Sequence, residues 1–401
     1  MSFWSKLIIM IKPVGKKSTS PMEIYYWSKL TSDEKLAGGD IRAEYVIPEM
    51  MKNSSGSCYL LLPETILRKQ FITNHQSLSK ILLVFLVPLK LAKVVKKSGK
   101  TIKFVYCSTC YSWDILPAFI IKLLFHAKLV CISHDTPKQL SGYYFYRRSE
   151  KFSIIKSIFY TFIGKFQVFL LRYVDIPVGI SKFAMDFFRD PVMRGRAILS
   201  SNTVPYVLKE PDNSSRQYDI VLLGRIIPRK NVKKFINSFK SKQYYRKIEL
   251  LVITNSPKSS VDEEIVNDLN TNLLNLTVKY NASEDEKFNL LKQSKIYVSL
   301  SRDETFSIAA MEAASMGCSL LLSDYMFFKD IYGDAAIYVN EDSSEEVWEQ
   351  IINLLNTQST LNEYSKRSLK IASRYLVSNV AKQDYEFILK NINGRGDENE
   401  A

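Results

Sequence analysis

Histidine and cysteine are scarce, with three and five copies respectively in 401 residues. The cysteines are odd in number and irregularly spaced, which argues against a disulfide framework. No His, Cys and Asp residues stand at metal-ligand spacing, and no Asp-x-Asp occurs. Apolar runs long enough to span a bilayer, about 20 residues, are also missing. Ile81 to Val95 is short and carries Pro88, Lys90 and Lys93, while Phe152 to Tyr173 is interrupted by Lys156, Lys165 and Arg172. The start lacks a small-residue cleavage site, so Phe3 to Ile11 reads as a first strand and not as a secretory leader. Carboxylates are sparse in one half only. Residues 1–200 hold 30 Lys and Arg against 13 Asp and Glu, and residues 201–401 hold 25 against 28, a net of +17 beside −3. Such a field suits nucleic acid, an anionic membrane surface or a phosphate-bearing substrate, and charge alone does not choose among them.

Hydrophobic content of 46% and charged content of 24% describe a chain that buries full cores, and its length calls for two domains. Strands are expected near Lys6–Ile11, Ser57–Leu62, Lys103–Tyr106 and Lys128–Ser133, and again near Asp219–Leu223, Glu249–Thr254, Thr277–Tyr280, Ile296–Ser301 and Ser319–Ser323. Helical segments alternate with them, among them Leu78–Lys97, Asp114–Phe125, Val232–Ser241, Ser283–Gln293, Phe306–Met316 and Glu345–Asn356. The alternation implies parallel sheets built from βαβ units. The expected fold is α/β: two doubly wound, Rossmann-like domains facing across a cleft, residues 1–205 completed by a C-terminal helix near 375–393, and residues 206–374, with 394–401 a disordered tail. The polar, proline-bearing stretch Thr203 to Gln217 is the expected linker. In Phe152 to Tyr173 the residues Phe152, Ile155, Phe159, Phe162, Ile163, Phe166, Phe169, Leu170 and Tyr173 recur at helical spacing, which reads as the inward face of a core helix more than as a helix in a membrane interface.

Chemistry gathers at four places. After the apolar strand ending near Ser301 come Glu304, Phe306, Ser307 and Ile308, then a helix carrying Glu312 and closing at Gly317. The free N–H groups at that helix mouth suit a phosphate or a sugar hydroxyl, and Glu312 lies about 7–8 Å further along the axis. After the strand Asp219 to Leu223 comes Gly224-Arg225-Ile226-Ile227-Pro228-Arg229-Lys230-Asn231, two cations on a loop that opens a helix with Asn231 as its cap. Cations preorganised there lower the barrier for a departing diphosphate. The strand Leu129 to Ser133 delivers His134, and Gly38-Gly39-Asp40 precedes a helix over Ile41–Met51. Each has an ordinary reading too: solvated helix carboxylates, loop charges, a packed histidine. Cys107-Ser108-Thr109-Cys110 has redox spacing but reads better as packed thiols.

Glu304 and Glu312, with seven residues between them after a strand, resemble the E-x7-E signature of retaining glycosyltransferases of the GT-B fold, family 4. Arg225 and Lys230 are similar to that family's G-R-x-x-x-x-K motif, His134 to its N-domain histidine, and Gly38-Gly39 to its N-terminal glycine loop. The sequence departs from the pattern at Thr305 and Ser307, where the family usually has glycines. The resemblance implies that Glu304 contacts the donor sugar, that Arg225 and Lys230 hold its diphosphate, and that Glu312 bonds the ribose. It further implies that His134 orients the sugar and that Gly38, Gly39, Phe306, Ser307 and Ile308 complete the donor site. It implies transfer with retention, no metal and no cofactor beyond the nucleotide-sugar donor, and a glycan or lipid-phosphate-linked acceptor. The expected setting is cytoplasmic, with an anionic membrane surface as a further partner. A nucleotide-sugar epimerase or a phosphorylase of the same architecture stands as the alternative enzyme. A non-catalytic protein binding nucleic acid or an anionic surface is the alternative from another class, although the basic residues are dispersed and no nucleic-acid module is recognisable.

Overall fold

The computed structural model describes residues 21–27, 38–54, 56–67, 72, 74–134, 154–185, 188, 191–211, 213–239, 247–259 and 274–393. The strand expected at Lys6–Ile11 and the tail 394–401 lie outside them. The chain divides into two compact units, Met1–Ser201 with Ser378–Ala401, and Asn202–Val377.

The first unit holds a parallel sheet in the order β2-β1-β3-β4-β5-β6. Its strands are β1 (Met22–Tyr26), β2 (Ser57–Leu61), β3 (Ile102–Cys107), β4 (Lys128–Ser133), β5 (Ile176–Gly179) and β6 (Ile198–Leu199). The first described strand is thus Met22–Tyr26, where no strand was expected, and it pairs with both β2 and β3. Strands such as β4 are buried on both faces, which is why they read as continuous apolar runs. Between the strands run α1 (Gly38–Asn53), α2 (Gln76–Ser98), α3 (Ser112–Phe125) and α4 (Ile154–Leu171). Leu83, Val87 and Leu91 of α2, Ile115, Ala118 and Ile121 of α3 and Leu170 and Leu171 of α4 join one core with Ile24, Val105 and Leu129 of the sheet.

α4 departs from the expectation. The side that meets the fold carries Gly164, Gln167, Leu170 and Leu171, with Gln167 donating to Cys110 Sγ at 3.2 Å. The aromatic stripe points outward instead: Phe162 is 70% exposed, and Phe166, Phe169 and Tyr173 are exposed with it. Helical spacing shows which residues share a face, but not which face the sheet receives. Cys107 and Cys110 are buried free thiols, as packed residues would be.

The second unit holds a parallel sheet in the order β12-β11-β10-β7-β8-β9. Its strands are β7 (Tyr218–Leu223), β8 (Ile248–Thr254), β9 (Leu274–Tyr280), β10 (Ser294–Ser299), β11 (Ser319–Ser323) and β12 (Ala336–Val339). The helices are α5 (Val232–Phe239), α6 (Glu284–Lys292), α7 (Ile308–Ser315), α8 (Met326–Tyr332), α9 (Ser344–Asn356) and α10 (Gln358–Arg374). Phe235, Trp348, Ile351 and Leu354 close one core over Ile220, Val252 and Val298. Ser343 caps α9 by accepting from the Glu346 amide at 3.2 Å, with Glu345 and Glu346 in the first turn. Gly317 ends α7 at φ 72, and a side chain there would press on the Arg216 guanidinium at 3.0 Å and on Pro211 at 3.2 Å.

The last helix, α11 (Val377–Asn393), returns to the first unit. Its Asp384 forms a fully buried ion pair with Arg42 of α1, which also donates to the Tyr106 hydroxyl at 2.6 Å. Tyr385 of the same helix donates to Glu23 Oε1 at 2.8 Å.

Candidate active site

In the second sheet the chain leaves β7 toward β8 on one side and returns through β10 on the other, so the strand order switches between β7 and β10. Ligands of open α/β sheets bind beyond the carboxyl ends of the strands at such a point. The two loops singled out in the sequence are the ones that leave these neighbouring strands.

The loop after β7 begins at Gly224, whose φ of 128 is open at little cost to glycine alone. The Ile226 amide donates to Ser256 Oγ at 2.7 Å and pins the loop to the end of β8. Pro228–Lys230 form a 3-10 turn closed by Asn231 in the left-handed region at φ 55. Asn231 ends that turn and is also the residue before α5, where its carbonyl accepts from the Phe235 amide at 3.3 Å. The Arg302 amide donates to the Arg229 carbonyl at 3.0 Å, which ties this loop to the one after β10.

That tie brings the predicted acid and base together. Lys230 Nζ lies 2.5 Å from Glu304 Oε1, with only 15% and 9% of the side chains exposed. The Ser301 hydroxyl donates to the same oxygen at 2.8 Å. Burial alone would raise the Glu304 carboxyl, but the charges of Lys230 and Arg229 and the two hydrogen bonds outweigh it, and the group is held below its ordinary range. Glu304 is therefore an ionised, oriented carboxylate. Arg225, which is exposed, lines one pocket with Leu223, Gly224, Lys230, Tyr297 and Ser299.

Phe306 and Ser307 are buried at the mouth of α7, and Ile308 is its first residue. The helix begins two residues later than expected because Ser307 is left-handed, at φ 59 and ψ 75. Tyr332 holds it there by donating to the Ser307 carbonyl at 2.9 Å. This conformation is the one glycine adopts without penalty, which gives a physical sense to the glycine usual at this position. The amides of Ile308 and Ala309 head the helix, where no intrahelical acceptor exists.

Glu312 is buried one turn further on and is not paired with Glu304's cations. Its Oε1 accepts from Lys287 Nζ of α6 at 2.7 Å, and Lys287 reaches Glu284 at 2.7 Å as well. Burial raises the Glu312 carboxyl above its ordinary range in spite of Lys287. The buried Tyr297 phenol is raised by burial and by the fields of both Glu304 and Glu312. Lys287, Tyr297 and Ser256 were not expected here. The i,i+3 pair Glu284–Lys287 looks like a surface contact in sequence, and nothing local signals that Lys287 turns inward. Among the described residues no three His, Cys, Asp or Glu side chains gather as a metal site would require.

The remaining predicted residues belong to the first unit. His134 follows β4, its Nε2 donates to the Ser108 carbonyl at 3.1 Å, and loss of hydration together with the Arg42 charge holds its pKa well below the usual range. Its imidazole is thus neutral, with Nδ1 left as an acceptor. Gly38 and Gly39 are not in a loop before a helix, as expected, but form the first turn of α1. The helix takes in residues without apolar side chains because its start is set by backbone hydrogen bonding, not by amphipathic pattern.

The fold is that of GT-B glycosyltransferases, and known proteins place the second unit more closely. Residues 208–370 match the family model described as "Glycosyl transferases group 1". The poly(glycerol-phosphate) alpha-glucosyltransferase of Bacillus subtilis (strain 168) is 24% identical over 182 residues, which cover 43% of this chain and 25% of that protein. The chain therefore spans about a quarter of the length of that relative. The structure of Anabaena Alr3699/HepE in complex with UDP-glucose superposes with a TM-score of 0.65 at 13% identity, over 92% of this chain and 99% of that one. Sucrose-phosphate synthase from Thermosynechococcus elongatus gives a TM-score of 0.65 at 12% identity, over 92% and 99%. These similarities support a glycosyltransferase.

Proposed function

We propose that the protein is a metal-independent, retaining glycosyltransferase that moves a sugar from a nucleotide-sugar donor to a glycan or lipid-phosphate-linked acceptor. The observation that carries this reading is the Lys230–Glu304 pair, formed by two loops at the strand-order switch, with Lys230 and Arg225 lining one pocket. In the proposed reaction the sugar C1–phosphate bond breaks and the C1–acceptor bond forms on the same face. The acceptor proton passes to the departing phosphate oxygen. Arg225, Lys230 and the α7 amides stabilise the charge gathering on the diphosphate, Glu304 bonds the sugar, and Glu312 receives the ribose hydroxyls once it is shared between them and Lys287. The resemblance gives His134 and Gly38-Gly39 of the first unit a part in orienting the donor sugar.

A UDP-sugar is the first donor to try, since the HepE structure was solved with UDP-glucose. A polyol-phosphate polymer is the first acceptor, by analogy with the Bacillus subtilis relative. Five free cysteines suit a reducing, cytoplasmic setting, with the acceptor presented at a membrane. A nucleotide-sugar panel read by thermal shift and then by turnover tests the proposal. One donor should raise the melting temperature, and turnover should require acceptor, whereas an epimerase would convert donor alone. If Glu304→Gln and Lys230→Ala proteins turn over donor at the rate of the unsubstituted chain, the site is wrongly assigned.

A further inference from the structure

Three adjacent helices of the first unit, α2, α3 and α4, are apolar on both sides. Inward, Leu83, Val87 and Leu91 of α2 enter the core; outward, Ile81, Phe85 and Leu89 of the same helix are 60%, 63% and 59% exposed. On α3, Leu123 and Leu124 are exposed as well. The stripe then continues on α4 with Ile158, Phe162, Phe166 and Phe169, and ends at Tyr173. The helices follow β2, β3 and β4 on one side of the sheet and form one layer. Within it α3 meets the end of α4, where the Phe119 and Tyr173 rings lie 5.6 Å apart and Lys122 Nζ donates to the Tyr173 carbonyl at 2.6 Å. A helix apolar all round is ordinarily buried, and a patch of this kind on a soluble surface marks a site that something covers.

Charge says what covers it. The three helices carry lysines at 80, 90, 93, 96, 97, 122, 156 and 165, and Asp114 is their sole carboxylate. Asp114 is buried, hydrogen-bonded to Thr109, and contributes nothing to the outer surface. The nearby Asp175 is paired with Lys122 at 2.8 Å. Lys90, Lys93, Lys96, Lys97 and Lys165 are exposed around the aromatic and aliphatic stripes. A second copy of the chain would bring the same lysines against these, so self-association on this face is repulsive. No helix among the described residues is long and apolar enough to cross a membrane. Aromatic and aliphatic side chains in the middle with lysines beside them match the acyl boundary and the phosphate headgroups of an anionic bilayer.

We propose that the outer face of α2, α3 and α4 docks on an anionic lipid bilayer, with Phe85, Phe162 and Phe166 entering the headgroup–acyl boundary and the α2 lysines on lipid phosphates. The surface argument holds whether or not the second unit transfers sugars.

The test is flotation of the full chain with vesicles of phosphatidylcholine alone or with about one-third phosphatidylglycerol. The chain should float with the anionic vesicles only, and each lysine near the surface should contribute roughly fivefold to partitioning at low salt. Phe85→Asp with Phe162→Asp should lower binding at least tenfold with the melting temperature unchanged, because both side chains already face outward. Lys90, Lys93, Lys96 and Lys97 changed together to Gln should lose most of the binding at low salt. A Phe162→Trp protein gives a reading independent of any loss of binding: the fluorescence of the introduced indole should shift to the blue on anionic vesicles and be quenched by brominated lipid. Equal flotation with neutral vesicles, no flotation, or no change in the emission of the Phe162→Trp protein would overturn the proposal. So would a dimer in the absence of lipid that the Asp substitutions abolish, since the face would then belong to a second copy.

Discussion

The helices of the two units are built on opposite plans. α9 in the second unit buries Val347, Trp348, Ile351 and Leu354 and turns its glutamates to solvent. α2 and α4 in the first unit keep apolar side chains on the solvent side as well, with lysines the only charges among them. The halves differ correspondingly in net charge, +17 against −3. In the second unit exposed large apolar residues are few, Tyr206 and Met326 among them, and polar groups are concentrated where β7 and β10 end. In the other, apolar residues exceed what the core needs, and the excess lies together on one surface. On the two proposals made above, the comparison separates two tasks, chemistry in the second unit and placement in the first.

The largest effect that would test this separation is on turnover. On the proposed reaction, Lys230→Ala removes a cation from the departing diphosphate and should lower kcat by about 10²–10³, the scale for one preorganised electrostatic group. Flotation on anionic vesicles should not change. If steady-state kinetics and flotation fell together, the two tasks would not be separable.

Next comes stability. Asp384→Ala leaves Arg42 buried without its carboxylate partner and should cost about 3–5 kcal/mol, read by denaturant unfolding. The loss should appear in the first unit, while Phe235→Ala, a core truncation of about 3–5 kcal/mol, should appear in the second. Probes placed in each unit distinguish two transitions from one, and a common transition would show that the units unfold as a single body.

A smaller gain is expected from Ser307→Gly, which removes a left-handed non-glycine residue and should stabilise the second unit by about 1 kcal/mol in thermal unfolding. The smallest effect concerns pH. Glu304 is held below its unfolded value of about 4.3, so its ionised form stabilises the fold above that pH, and the contribution fades as pH falls through the folded pKa. The stability difference between the unsubstituted chain and Glu304→Gln should therefore shrink as the pH is lowered from about 6 toward 3. Glu312, shifted upward, carries the opposite sign: while ionised it lowers stability, so Glu312→Gln should not show the same narrowing.

Much of the fold is legible in order. Apolar runs flanked by helical pattern located β2, β3, β4, β7, β8, β10 and β11 within a few residues, since a strand buried on both faces has no alternative to being apolar. The spacing of Glu304 and Glu312, the Arg225–Lys230 loop and Gly317 could likewise be read directly, because loops after strands and helix ends obey local backbone rules. Met22–Tyr26, no shorter than β2 or β11, was hidden by its Glu23 and by its tyrosines, which suit several environments.

The sequence alone determined the alternation of strands and helices, the side-chain chemistry of the two loops and the imbalance of charge, because each depends on neighbours a few residues apart. Tertiary structure decided which face of α4 meets the sheet, that Lys230 rather than Arg225 pairs with Glu304, and that Lys287 turns inward to Glu312. Those outcomes depend on groups far apart in the chain competing for the same buried volume and the same charges, and no local pattern encodes the result of that competition.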